Sequence, residues 1–398
     1  MSAPSSAPPS LTRAIVFLAV AGFASQAMVR SADSLLPQIA SDLSVSVGVA
    51  SIIVSGYTLV HGSLQLFMGP VGDRFGKYRT CAFNCAVAAV FVALCGLAQS
   101  LTTLTLARLA SAAFASWIIP LGMAYIGDVV PYERRQQVLA RYLSGQISGQ
   151  LFGQAAGGVL GDIFGWRGVF FVLAAFLALA AVGLVRELAV NPLTHASAGN
   201  APRSRGLVAD NKIVLSNPWA RTVIFAALIE YGFMFGAFAY VGAYLHVVFD
   251  LSFTAIGLVI GMFAIGGLIY SFMSAQLVGR LGQRGLAAWG GATCGVGYFI
   301  LAAAPVWWIT PLAVVLLGLG FYMLHNTLQT NATQMSPQAR GTAVGIFSAA
   351  LYLGMTAGVA IIAPVFDRAG AVPAFVVAGC VLIATGAWFG SRVAAKAR

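Results

Sequence analysis

The chain has 398 residues, 59% hydrophobic and only 8% charged, against about 25% charged in an ordinary soluble domain, so lipid is the expected solvent. The formal charge of +11 does not make it a nucleic-acid binder, because the basic residues do not gather on one domain or helix as that footprint requires. Backbone groups in hydrocarbon have to be satisfied within the segment, and the apolar runs are long and unalternating, so the fold class is an all-α membrane protein.

Met1 to Ser10 form a polar Pro/Ser/Ala tail, and the apolar run after Arg13 is too long for the core of a cleavable signal. It reads as the first of twelve spans, near 14–36, 47–68, 79–98, 103–126, 138–160, 167–186, 220–247, 255–277, 286–304, 309–331, 342–363 and 372–391. An even number returns both termini to one side. Of 22 basic residues, 18 fall on that side and the exceptions are Arg30, Arg108, Arg167 and Arg368; positive loops stay cytoplasmic, so both termini are expected there, in a multi-pass protein of a bacterial inner membrane. The break from Glu187 to Asn217, with Pro192, Pro202 and the basic residues Arg203, Arg205 and Lys212, has a linker's composition. The expected organisation is a disordered tail 1–12, a six-helix bundle 13–187, a cytoplasmic linker 188–218 and a second bundle 219–398.

Several polar residues fall inside these spans. Asp33 lies toward the outer end of helix 1 and Glu230 about nine residues into helix 7. Low dielectric disfavours a charged carboxylate, which suits such groups to binding and releasing a proton. Asp33 has two competing partners, Arg30 three residues back and Arg108 at similar depth in helix 4; Glu230 has no cation nearby in sequence except Arg221. Arg108 either faces a cavity or snorkels to the interface. In helix 5, Gly145, Gly149, Gly153 and Gly157 recur every four residues with Gly158 beside them, spacing that lets another helix approach closely. Gln146, Gln150 and Gln154 form a polar stripe that lines a cavity or bonds helix to helix. Tyr57, Gln65, Trp117, Tyr231, Tyr240, Tyr322, His325, Asn326 and Gln329 have the mixed aromatic and polar character of small-molecule sites, with packing as the alternative for each. Cys81, Cys85, Cys95, Cys294 and Cys380 all sit in apolar segments, and neither a zinc-type spacing nor a nucleotide-binding P-loop is present, so no metal, cofactor, catalysis or direct ATP drive is expected.

The halves repeat. "GDRFGK" from Gly72 is echoed by "VGRLGQ" from Val278, with Arg74 matching Arg280 and Gly76 matching Gly282, each 206 later; "PYERR" from Pro131 is echoed by "PQARG" from Pro337, with Arg134 matching Arg340. The stretch "GPVGDRFGKYR", with Gly69, Asp73, Arg74, Gly76, Lys77 and Arg79, resembles the signature loop of the major facilitator superfamily. The resemblance implies two pseudo-symmetric six-helix bundles rocking about a central site, with the loop's acid meeting the cytoplasmic end of helix 11 in the outward-open state. Arg108 resembles a helix 4 arginine implicated in proton relay. "GQAAGG" from Gly153 resembles the helix 5 motif of the family's antiporters, with Gln154 in place of the proline. The reading is therefore a monomeric, proton-coupled exporter of a small hydrophobic or amphiphilic compound, of drug or sugar efflux type. A proton-linked importer or facilitator of a sugar or organic acid is the alternative, and a non-transporting receptor a remote one.

Overall fold

The computed structural model describes residues 11–65, 67, 72, 74–130, 132–195, 207–336 and 340–396, and among them no strand occurs. The spanning helices are α1 (Leu11–Asp42), α2 (Val47–Gln65), α3 (Lys77–Gly96), α4 (Leu101–Val129), α5 (132–164), α6 (166–190), α7 (Pro218–Phe249), α8 (253–281), α9 (283–303), α10 (Thr310–Gln334), α11 (Arg340–Ala369) and α12 (Ala371–Lys396). α5 and α6 run on as one helical stretch of 59 residues, Tyr132–Val190, which at about 1.5 Å per residue is far longer than a bilayer core of about 30 Å. It breaks at Gly165, whose φ of 68° is a backbone that glycine adopts without strain. Eleven apolar stretches among the described residues thus hold twelve spans.

The repeat extends to these breaks. Positive φ marks Gly76 before α3 and Gly282 before α9, 206 apart, and Gly165 before α6 and Gly370 before α12, 205 apart. The region expected as a flexible linker carries a helix of its own, Leu207–Ser216, whose Val214 is fully buried.

Apolar side chains gain little by leaving lipid for one another, so helices in a membrane associate through small residues that permit close packing. A Cβ on Gly149 or Gly153 of α5 would run into the Phe23 or Ala27 carbonyl oxygen of α1. In the second half, Gly354 and Gly358 of α11 stand in the same way against Leu228 and Gly232 of α7, every one of these four positions displaced by 205. The two halves meet along α2 with α11, where Thr58 Oγ1 lies 2.9 Å from Thr356 Oγ1, and along α5 with α8, where Gly158 packs on Phe253 and Gly257. The described hydrogen bonds and ring contacts between halves run from mid-membrane, at Arg30, His61 and Tyr352, to the face away from the termini, at Ser46, Asp162, Phe253 and Asp367. Large apolar side chains such as Phe272, Val247 and Leu179 point outward, where lipid solvates them.

Candidate functional site

Four charged side chains are almost wholly buried at the centre of the bundle: Arg30, Asp33, Arg108 and Glu230, each 0–1% exposed. Burying a charge is tolerated only when it is paired, so the partners define the site. Asp33 Oδ2 lies 2.8 Å from Arg30 Nη2, one turn back on α1. Among the described residues neither Asp33 oxygen accepts a directed hydrogen bond, so its contact with Arg30 is ionic. Arg108 stands beyond contact but couples electrostatically to Asp33. Of the two partners the sequence offered, Arg30 takes the contact.

Arg30 is the hub. Within its own half it donates to the Gln154 side-chain oxygen at 3.2 Å through both Nη2 and Nε, with the amide turned to present that oxygen. Toward the other half, Nη1 lies 3.5 Å from Met355 Sδ of α11, and the guanidinium sits 4.2 Å over the Phe235 ring of α7. One cation therefore joins the acid, helix 5 and the second bundle. Arg108 does not snorkel. Its Nη1 donates to the Met28 carbonyl at 3.2 Å, its guanidinium lies 4.2 Å from the Tyr57 ring centroid, and Nη2 has no hydrogen-bond partner among the described residues.

The second acid is paired by a residue ninety-five positions away in sequence. Glu230 Oε2 lies 3.2 Å from His325 Nδ1 on α10, while Oε1 has no hydrogen-bond partner among the described residues. His325 stacks on Phe321 at 4.7 Å and lies 5.9 Å from Tyr231. Tyr231 is 6.2 Å from Tyr352, Tyr352 is 4.4 Å from His61, and His61 is 5.6 Å from Tyr57. A continuous run of rings thus crosses between the halves, from the Arg108 end to the Glu230 end. His61 Nδ1 and the Tyr57 hydroxyl in this run also lack hydrogen-bond partners among the described residues.

A family model described as Major Facilitator Superfamily matches residues 18–359. The chain belongs to the major facilitator superfamily. Among curated proteins it is 26% identical over 332 residues to an uncharacterised MFS-type transporter, YceJ, of Bacillus subtilis, covering 82% of each chain. It is also 21% identical over 327 residues to a probable sugar efflux transporter of Helicobacter pylori, covering 82% of this chain and 81% of the other. Two solved structures share the fold. A bacterial homologue of the human lysosomal transporter Spinster, in an inward-facing conformation, superposes with a TM-score of 0.73 at 17% identity, over 96% of both chains. The nucleoside transporter NupG does so with a TM-score of 0.75 at 12% identity, over 94% of this chain and 98% of the other. The chain is thus a membrane transporter of this superfamily, whose members move small molecules by virtue of the fold rather than by catalysis.

Within that fold the other expected site residues are dispersed. In the superfamily's signature loop, Gly69 and Asp73 lie outside the described residues, as do the side chains of Arg134 and Arg340. Lys77 Nζ is 2.5 Å from Asp128 Oδ2 at the end of α4, Arg74 lies over Phe75 at 5.4 Å, Arg79 is exposed, and Gly76 makes the turn into α3. In α5, Gly145, Gly149, Gly153 and Gly157 face α1, whereas Gly158 faces α8 of the other half. Of the glutamine stripe, Gln154 is bonded to Arg30, Gln146 is buried beside Tyr142 and Gln150 is half-buried. Trp117 Nε1 donates to the Leu64 carbonyl at 2.7 Å, tying α4 to α2. Tyr240 donates to Ser51 Oγ at 2.8 Å and the Val359 carbonyl at 3.0 Å, so it closes the halves at the far face. Gln65 is buried, Tyr322 packs on Gly267 and Phe263, Asn326 bonds the Tyr270 side chain, and Gln329 is exposed.

From the sequence Arg30 was only a candidate partner of Asp33, and His61 and Tyr352 were not among the candidates. Arg30 carried a signal, being basic and away from the positive face; Tyr352 carried none, since an intramembrane tyrosine more often packs or anchors. Glu187 was missed as well; it is 1% exposed and bound by Arg13 Nε at 2.6 Å and by Asn191 Nδ2 at 2.6 Å at the terminal face.

Proposed function

We propose that this chain is a proton-coupled antiporter that exports a small hydrophobic or amphiphilic compound by alternating access. Asp33 carries the reading. It is a buried carboxylate in ionic contact with Arg30 at 2.8 Å, which also touches Met355 and Phe235 of the opposite bundle. A proton on Asp33 removes its attraction for Arg30 and so changes what holds the bundles together at that depth. Occupancy by a proton and the arrangement of the halves are then linked, as a coupled exchanger requires. Glu230 with His325 is a second protonatable pair, in the other half, joined to the first by the ring run. Arg108 biases Asp33 through its field.

Export is supported by the small-residue spine from Gly153 to Gly158 in α5 and by the relatives named probable sugar efflux transporters. The bias of 18 of 22 basic residues to one side supports cytoplasmic termini, and the bacterial relatives support a bacterial inner membrane. Residues around the rings, including Tyr57, Tyr231 and His325, would take the compound, and the protein would work as a monomer. The test begins with growth of expressing cells on a panel of toxic amphiphiles, ethidium among them, to select a transported compound. Proteoliposomes with an imposed pH gradient then report direction: the compound should move against the proton flux. Movement with the protons would establish the importer instead, and native flux in both Asp33→Asn and Glu230→Gln would remove the coupling.

A further inference from the structure

At the face away from the termini, each bundle caps a helix of the other with a carboxylate. Asp367, at the end of α11, accepts a hydrogen bond from Gly48 N at 2.9 Å and lies 2.5 Å from Ser46 Oγ, at the first turn of α2. Asp162, at the end of α5, accepts from Phe253 N at 3.2 Å and Thr254 N at 2.5 Å, at the first turn of α8. Ser46 and Ser252 are the N-caps of these turns, 206 apart, and the donors Gly48 and Thr254 are 206 apart as well. The two acids are 205 apart, the same displacement that relates the glycines of α5 to those of α11. Duplication has therefore placed the same contact twice, once on each side of the pseudo-twofold axis.

We propose that Asp162 and Asp367 are paired latches that hold the two bundles together at this face and so set the balance between the two open states of the transport cycle. The proposal is independent of proton coupling. An α-helix leaves its first backbone N–H groups unsatisfied and carries partial positive charge there, so a carboxylate is attracted and anchored directionally. A serine cap inside the same bundle already serves each helix: Ser46 Oγ accepts from Val49 N at 3.1 Å and Ser252 Oγ from Ala255 N at 3.2 Å. What the acids add is the link between bundles. Directly beneath them the halves are in close contact, Gly158 against Gly257 and Thr58 against Thr356, so opening this face has to break both latches. A third acid, Asp42, spends its contacts within one bundle on Trp166 and Arg167 and takes no part.

The test uses the full chain in lipid nanodiscs with Cys380→Ser, which removes the exposed cysteine, and spin labels at Leu97 and Trp308, exposed positions at this face in different bundles. Pulsed dipolar spectroscopy gives the distribution of distances between them. Asp162→Asn with Asp367→Asn should enlarge the long-distance population about three- to thirty-fold relative to the short one, with each single variant giving a part of the shift. An unchanged distribution in the folded double variant, or a lower melting temperature with unchanged distances, overturns the proposal, since either would leave the acids as plain helix caps. Gly48→Ala keeps both acids but puts a methyl where Asp367 Oδ2 sits. It should lengthen the distances in the same direction, and native distances there also overturn the proposal, even if the double variant fails to fold.

Discussion

Arg30 and Asp33 form a pair whose members are 1% and 0% exposed, and such a pair is an expensive way to gain stability. Removing one partner leaves an unpaired buried charge, so Arg30→Met should destabilise the folded protein by about 3–5 kcal/mol. Adding Asp33→Asn should recover much of that loss, because neither charge then remains in the interior; the melting temperatures of the two single variants and the double variant in detergent provide the check. The double variant should be stable yet deaf to a pH gradient, whereas a purely structural pair predicts that native gradient-driven flux returns along with stability. Glu230 sits differently. With His325 as its partner, Glu230→Gln can keep an oxygen acceptor for the imidazole, so the melting point should change little while coupled flux falls, a split that a simultaneous melt and flux assay would expose. The acids were visible in the sequence because charge is conspicuous in hydrocarbon. The partner of Glu230 was not, since His325 reaches it across ninety-five residues of chain and only packing of α7 on α10 joins them, while for Asp33 the sequence offered Arg30 and Arg108 without choosing between them.

Helix 5 distinguishes packing within a bundle from packing between bundles. Gly153 opposes the Ala27 carbonyl inside the first half, and Gly158 opposes Phe253 and Gly257 of the second, only five residues further along. Gly153→Ala should therefore force α1 from α5 and lower stability by about 1–3 kcal/mol as an overpacked contact. Gly158→Ala should leave each bundle intact and weaken the seam between them, shifting the balance of open states instead. Thermal melts together with the spin-label distances separate the two outcomes, and equal effects of the two variants on both readouts would show that the helix has a single packing role. The four-residue spacing was plain in the sequence, but which neighbour each glycine meets depends on where α1 and α8 lie around the helix. Gln154 illustrates the same limit. A stripe of glutamines offers two readings, cavity lining or helix bonding, and it takes the position of Arg30 to give Gln154 the second.

At the scale of the molecule, the halves touch through α2 and α11 closely enough that Thr58 and Thr356 hydroxyls are 2.9 Å apart. Cysteines at those two positions should form a disulfide that locks the seam, abolishing transport until a reductant restores it. Transport at the native rate in the oxidised protein would mean that this seam does not have to open during the cycle.

Composition alone determined that the chain lives in lipid, because 8% charged residues cannot dissolve a 398-residue chain, and the apolar run lengths determined twelve spans. The 206-residue echo determined that there are two related bundles, and the signature loop determined the superfamily. Tertiary structure alone decided that Arg30, rather than Arg108, contacts Asp33, that Glu230 meets His325, and that Asp162 and Asp367 cap helices of the opposite bundle. Hydropathy and spacing are properties of a segment and its solvent, legible one helix at a time; which buried charge finds which partner depends on the rotation and crossing of helices far apart in sequence, and only the packed bundle sets those.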